Sequence, residues 1–318
     1  MFKFSEVTYH PAAAAADGSV GTVDVGSGLV WDDVYAALQP HGVTVVGGRV
    51  TGVGVGGFTL GGGYSWLSNQ YGLTIDTVTE FEVVLPNGTI TAASEGLNPD
   101  LFFGLKGGFN NFGIVTKFTL AFPRASLGLK THFLLLTNSI NVTDPKAGII
   151  TTYNFLLGQP GVSLNVLRWA DAACGLTSLV QASPQMPLTE IGLSLGAFNT
   201  VSLKTYSPAL IEQVLNQTTY WGSKLSLKGA NFISYDVEPF LPTMTSRSKG
   251  GAYPHDNYLI PLNLYYAWAP ELFDEDFIEA MEESARVILI KLSPKLRLRT
   301  WVPLRGKPPS AEAAQSAI

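Results

Sequence analysis

Apolar and polar positions follow several distinct patterns along the first third of the chain, and each predicts an element. Val7 and Tyr9, and then Gly21-Thr22-Val23-Asp24-Val25-Gly26, read as strands, with a small-residue loop over residues 12–18 between them. Trp31, Val34, Tyr35 and Leu38 repeat at helical spacing, with Asp32 and Asp33 in the first turn and Gly42 beyond the end. Thr44-Val45-Val46 reads as a buried strand. Residues 81–85 and 89–92 flank Pro86-Asn87-Gly88, a strong hairpin signal. Asn98-Pro99-Asp100 supplies an N-cap, a first-position proline and a first-turn acid, so a short helix is expected to run to Gly107-Gly108. Residues 113–122 return to strand, and Pro123 ends it.

Beyond residue 124 glycine thins out. Strand-like runs (130–136, 191–199, 259–268) alternate with helix-like ones. Ser207-Pro208 opens one helix, with Leu210, Val214 and Leu215 as its apolar stripe. A second covers residues 270–290, with an acidic start (Glu271, Asp274, Glu275, Asp276) and the stripe Phe273, Phe277, Met281, Ala285 and Ile288. The patterns divide the chain into residues 1–123, an α+β domain over 124–290, and an irregular basic tail over 291–318. From Arg286 onward there are seven Lys or Arg residues and one acid, Glu312, which reads as a solvated tail or as a contact for an anionic partner.

Composition narrows the classes. With 46% apolar and 14% charged residues in 318, against a usual charged share of about 25%, intrinsic disorder is excluded. Twenty basic against 25 acidic residues leave a net charge of −5 and no broad electropositive surface, which argues against nucleic acid as a partner. The single cysteine, Cys174, forms no intrachain disulfide or Cys-based zinc cluster, and no metal site is expected. Apolar runs such as 133–136 fall far short of the roughly 18 residues of a membrane helix, and residues 1–6 contain no signal-peptide core.

Seventeen of the 33 glycines lie between Gly42 and Gly113, and glycine loses the most chain entropy on folding. Such density has two explanations: close approach of backbone to a ligand, or tight turns and bulges. Gly52-x-Gly54-x-x-Gly57, with Asp76 downstream, formally matches a dinucleotide fingerprint. That motif needs a helix starting at the loop, and Gly61-Gly62-Gly63 would each cost about 1 kcal/mol in one. A Rossmann reading is rejected. A non-helical loop that offers unshielded backbone amides to a diphosphate and a flavin edge fits better.

Several motifs occur in order: Val53-Gly54-Val55-Gly56-Gly57, Leu60-Gly61-Gly62-Gly63-Tyr64-Ser65-Trp66-Leu67, Tyr71-Gly72-Leu73-Thr74-Ile75-Asp76, Val83-Val84-Leu85-Pro86-Asn87-Gly88, Asn98-Pro99-Asp100-Leu101-Phe102, and Lys106-Gly107-Gly108-Phe109-Asn110-Asn111-Phe112-Gly113-Ile114-Val115. The succession resembles the FAD-linked oxidases of the vanillyl-alcohol oxidase (PCMH-type) superfamily, nearest the berberine-bridge-enzyme-like and 6-hydroxynicotine-oxidase-like members. A weaker likeness runs from residue 20 to residue 285, including Tyr265-Tyr266-Ala267-Trp268.

The resemblance implies an α+β protein: a PCMH-type FAD-binding domain over residues 1–123, mostly its second subdomain, then a substrate domain with an antiparallel sheet. By family likeness Thr51, Gly52, Val53, Gly54, Gly56, Gly57 and Thr59 would lie along the pyrophosphate, ribityl chain and ring edge. Gly113, Ile114 and Val115 would meet the adenine side, with Gly107, Gly108 and Asn111 shaping that turn. The Arg-Gly-Gly-His-type motif that carries the covalent flavin link has no counterpart, and Val50 stands where some members carry a second linking cysteine. The chain therefore reads as truncated at both ends, with any FAD held noncovalently. His10, His41, His132 and His255 read as surface or turn residues. The implied activity is oxidation of a small organic, secondary-metabolite substrate by hydride transfer to flavin N5, with dioxygen reoxidising the flavin. Tyr258, Tyr265 and Tyr266 are candidate bases by location, each also readable as a packed sheet aromatic. The alternative is a noncatalytic remnant acting as a binding module. Many relatives are secreted, and Asn87, Asn141 and Asn216 lie in glycosylation sequons; compartment and oligomeric state are not read from the sequence.

Overall fold

The computed structural model describes residues 3–12, 19–123, 147–156, 159–168, 195–255 and 259–292. Among these, two compact units form, and the fold is α+β. The first unit holds the described residues up to Thr151, residues 164–168 and Glu238–Ile260; the second holds Thr152–Ser163, the described residues from 195 to Val237, and those from Pro261 onward. Residues 238–260 thus return to the first unit from well beyond residue 123.

In the first unit, β1 (Val7–Pro11), β2 (Ser19–Gly26), β3 (Val78–Val84), β4 (Ile90–Ser94) and β5 (Ile114–Pro123) form a sheet in the order β1-β2-β5-β3-β4. Every pairing in it is antiparallel. Val23 faces Leu120, Val25 faces Phe118, and Phe118 faces Phe81 across the ladders. Directly opposed residues share a face, so these side chains build one apolar layer, and all five are fully buried. The helix Trp31–Leu38 buries its predicted stripe of Trp31, Val34, Tyr35 and Leu38 into the same cluster, at roughly 1.5–3 kcal/mol per large side chain. Phe102 and Leu105, from the helix Pro99–Leu105, complete it.

Two local expectations change. Residues 44–46 are buried, as their apolar run requires, but lie in no strand. The carbonyl of Val46 accepts instead from the Thr74 hydroxyl at 2.6 Å. Asn98 precedes its helix in a left-handed conformation (φ 54°) and does not cap it; its amide donates back to Ala92 O (2.8 Å) and Thr91 Oγ1 (3.2 Å).

The second sheet has the order β7-β6-β9-β10-β8, built from β6 (Ala147–Leu156), β7 (Gln159–Arg168), β8 (Leu195–Leu203), β9 (Ala230–Val237) and β10 (Ile260–Trp268). The helix Pro208–Ser226 opens on Ser207, whose Oγ accepts from Leu210 N at 3.2 Å. Its buried stripe is Leu210, Val214, Thr218, Trp221 and Leu225; Leu215, expected in that stripe, is 43% exposed because it lies one position off the i, i+4 row. The acidic helix spans Asp274–Leu292, after a turn of 3-10 helix at Glu271–Phe273, and buries Phe277, Met281, Ala285 and Ile288. The predicted strand at 130–136, together with His132, Asn141, Cys174 and Tyr258, lies outside the described residues.

Candidate functional site

The segment 52–57 is not a free loop. It is stitched to the residues that lead into the helix Trp31–Leu38. Trp31 N donates to Val53 O (3.0 Å), Val55 N donates to Leu29 O (2.9 Å), and Val30 and Gly54 form an antiparallel bridge. Gly52 N donates to Asp32 Oδ2 at 2.9 Å. A six-residue helix, Val55–Leu60, follows directly and stops at Gly61. This corrects the expected non-helical loop, and the amides of Gly52, Val55 and Phe58 have acceptors within the chain. The three glycines at 61–63 that argued against a helix terminate it rather than interrupt it. The all-antiparallel sheet still excludes the Rossmann arrangement, which needs parallel strands.

What this segment leaves open is its Cα face. A Cβ placed on Gly52, Gly54 or Gly57 would meet nothing within 4 Å. Gly56 is different: its Cβ would lie 3.1 Å from Ser27 O, and Ser27 N in turn donates to Thr116 O of β5 at 3.0 Å. The glycine segment and the start of β5 therefore flank the same turn. Ile114, the first residue of β5, is 57% exposed there.

The later glycines behave in the opposite way. A Cβ on Gly107 would sit 2.3 Å from the Tyr253 Cβ, on Gly108 2.3 Å from Gly104 O, and on Gly113 2.5 Å from Val84 O. Gly107 and Gly113 also have φ of 103° and 153°, in the region that favours glycine. Asn111 Nδ2 donates to Gly108 O at 2.7 Å and closes this turn. Of the residues the sequence singles out, Thr51, Gly52, Gly54, Gly57, Asn111 and Ile114 are exposed, and Val53, Gly56, Gly108 and Gly113 are half-buried. Thr59, Gly107 and Val115 are buried. The Thr59 side chain is fully enclosed and turned inward from the open face, because it lies on the packed side of the short helix.

Residues 238–255 pack onto this region, which no sequence pattern announced. Arg49 forms a two-pronged ion pair with Glu238 (2.5 and 3.2 Å) between the rings of Trp66 and Phe240. The hydroxyls of Tyr64 and Tyr253 are 3.1 Å apart, and burial pushes both phenols above their ordinary pKa. Asp76 accepts from Leu73 N (2.8 Å), Lys249 N (3.1 Å) and His255 Nε2 (2.9 Å). His255 Nδ1 lies 2.7 Å from Tyr253 O. Both ring nitrogens of His255 face acceptors, so the ring donates from both and carries a charge. Burial acts to lower its pKa, but the Asp76 carboxylate and the Tyr253 carbonyl outweigh that and raise it. His255 is therefore no surface residue; it is 4% exposed in an ion pair. His10, by contrast, sits at the surface beside Asp24.

On the second unit, Tyr265 and Tyr266 point to opposite faces of β10. The Tyr266 hydroxyl lies 2.5 Å from that of Tyr235, which also meets Ser284 Oγ at 2.6 Å, so it is locked against the helix Asp274–Leu292. Tyr265 stacks on the exposed Phe198, with ring centroids 4.3 Å apart. Among the described residues no cluster of His, Cys, Asp or Glu could hold a metal, and no helix is long and apolar enough to cross a membrane.

Residues 14–94 match the FAD binding domain family. The chain is 47% identical over 262 residues to the FAD-dependent monooxygenase macF of Penicillium terrestre, covering 72% of this chain and 49% of macF. It is 54% identical over 102 residues to the FAD-dependent monooxygenase tpcD of Cochliobolus heterostrophus, 32% of this chain and 20% of that protein. The chain thus spans about half the length of macF and less of tpcD. The same fold occurs in Physcomitrella patens BBE-like 1, with a TM-score of 0.67 at 20% identity over 92% of this chain and 70% of that one. It occurs also in berberine bridge enzyme from Eschscholzia californica, with a TM-score of 0.68 at 14% identity over 94% and 67%.

Proposed function

Taking residues 14–94 as an FAD binding domain, we propose that this chain works as an FAD-dependent oxidoreductase on a small organic substrate, with dioxygen as the electron acceptor. The observation that carries the reading is the open glycine face. Gly52 has a backbone reason to be glycine, since its φ is 81°. Gly54 and Gly57 have none. Gly54 has an ordinary φ of −69°, and Gly57 sits inside a helix, where glycine costs about 1 kcal/mol relative to alanine. Neither is crowded by any of the described residues, and close approach of a ligand is a physical reason for glycine there.

FAD suits such a surface. Thr51, Gly52, Val53, Gly54, Gly56 and Gly57 would hold its diphosphate and ring edge. Gly113, Ile114 and the backbone of Val115 would meet the adenine side, over the turn shaped by Gly107, Gly108 and Asn111. Bound FAD supplies a two-electron acceptor. The chain's residues orient the substrate and take up its proton. The Tyr266 hydroxyl is already committed to Tyr235, Tyr265 is stacked on Phe198, and burial raises the pKa of both phenols above the ordinary value, so neither is assigned that proton. The names of the Penicillium and Cochliobolus relatives, both FAD-dependent monooxygenases, favour FAD-dependent oxidoreductase chemistry.

The test is a visible spectrum of the purified full chain after incubation with FAD and gel filtration. The parent is expected to keep the flavin double band, and Gly54→Val, which fills the open face, to bind at least about tenfold more weakly with an unchanged melting temperature in the absence of FAD. A parent that elutes colourless overturns the reading.

A further inference from the structure

We infer that Asp32 is a positioning residue for FAD: its side-chain acceptor holds the left-handed turn at Gly52 and so keeps the faces of Gly52, Gly54 and Gly57 in line. The inference rests on the function proposed above and adds a residue that neither the family match nor the glycine pattern assigns.

The backbone ladder between residues 29–31 and 53–55 ends at Trp31 N–Val53 O. One residue further along, the next rung is made by a side chain: Asp32 Oδ2 accepts from Gly52 N at 2.9 Å. That rung falls where the chain is least willing to stay, because Gly52 alone in the segment has positive φ, at 81°. Asp32 is itself fixed by the first turn of the helix Trp31–Leu38, which is anchored by fully buried Val34 and Leu38. A rigid element thus sets the conformation of a segment that has no packing of its own on the open side.

The chemistry separates position from charge. A carboxylate beside an anionic diphosphate repels it, so its charge works against binding while its acceptor oxygen works for it. Asparagine keeps the acceptor and removes the charge; alanine removes both. If Asp32 acts by position, the two substitutions have opposite consequences.

The experiment uses the full chain and two readouts: FAD affinity from quenching of flavin fluorescence, and amide hydrogen exchange of residues 51–57 without FAD. Asp32→Ala is expected to weaken FAD binding about tenfold, the equivalent of one lost charge-assisted hydrogen bond, and to speed exchange at Gly52. Asp32→Asn is expected to keep Gly52 protected and to bind FAD at least as tightly as the parent. Should Asp32→Ala fail to fold, Asp32→Asn decides alone, and loss of both protection and affinity in it overturns the assignment. Equal affinity of Asp32→Ala and the parent, or equal weakening of both variants, also overturns it and leaves the proposed function standing. A parent that binds no FAD overturns both.

Discussion

Two groups of glycines in the first unit look alike as sequence and differ as structure. Around Gly104–Gly113 the chain folds against itself so closely that a methyl group would collide with backbone, with the Phe112 ring or with Tyr253. Around Gly52–Gly57 the same residue type faces empty space at three positions of four. Glycine in the first group is explained entirely from within the molecule. In the second group Gly52 is, through its φ, and Gly56 is, through its approach to Ser27 O, but Gly54 and Gly57 are not. Density of glycine is therefore no guide to a binding surface; glycine that nothing internal requires is.

The contrast makes predictions whose signs differ between the groups. The largest effect belongs to the clasp that covers the crowded glycines. Asp76→Ala leaves a charged His255 buried without its partner and is expected to cost about 3–5 kcal/mol in urea unfolding at pH 6. The parent should also show a pH dependence that the variant lacks. The folded-state pKa of His255 is raised, so the pair's contribution is complete below the unfolded value of about 6.5 and is lost as pH rises through the folded value. Lys106, buried nearby with its pKa lowered chiefly by that burial, and Lys249 share the site and add charges of the same sign as His255. A flat stability profile from pH 5 to 9 would show the ring to be neutral.

Next in size is Gly107→Ala. Its added Cβ meets Tyr253 at 2.3 Å, at a φ of 103°, and steric strain of both kinds should destabilise the protein by about 3 kcal/mol. Gly57→Ala is the smallest and has the opposite sign. With open space for the methyl group and helical backbone, it should stabilise the FAD-free protein by about 0.5–1 kcal/mol while weakening FAD uptake. If thermal melts show Gly57→Ala to be as harmful as Gly107→Ala, the distinction between the two groups collapses.

Much of this was legible because it is local. The stripe Trp31, Val34, Tyr35, Leu38 gave its helix, and Asn87-Gly88 lies in the turn between β3 and β4 with Val84 opposite Ile90. The order of glycine motifs pointed to the nucleotide fold. The misreadings have identifiable physical sources. The helix Val55–Leu60 forms against the poor propensity of two glycines because its entrance is pinned to Leu29 and Trp31, which are distant in sequence. Residues 44–46 look like a strand, but the Val46 carbonyl accepts from a threonine side chain. His255 carried no signal at all, since its partner lies 179 residues earlier. Asp32 was visible only as a first-turn acid, a role that gives no hint of the turn it holds.

That 179-residue span bears on how the molecule is made. Arg49, Tyr64 and Asp76 emerge from the ribosome long before Glu238, Tyr253 and His255, their partners. Until those late residues are translated, the Asp76 carboxylate lacks His255, and the Arg49 guanidinium lacks Glu238 and the Phe240 ring. Completion of the clasp around Arg49, Tyr64 and Asp76 thus waits for residues 238–255, and a nascent chain arrested before residue 238 should resist proteases less well than its sheet alone would suggest.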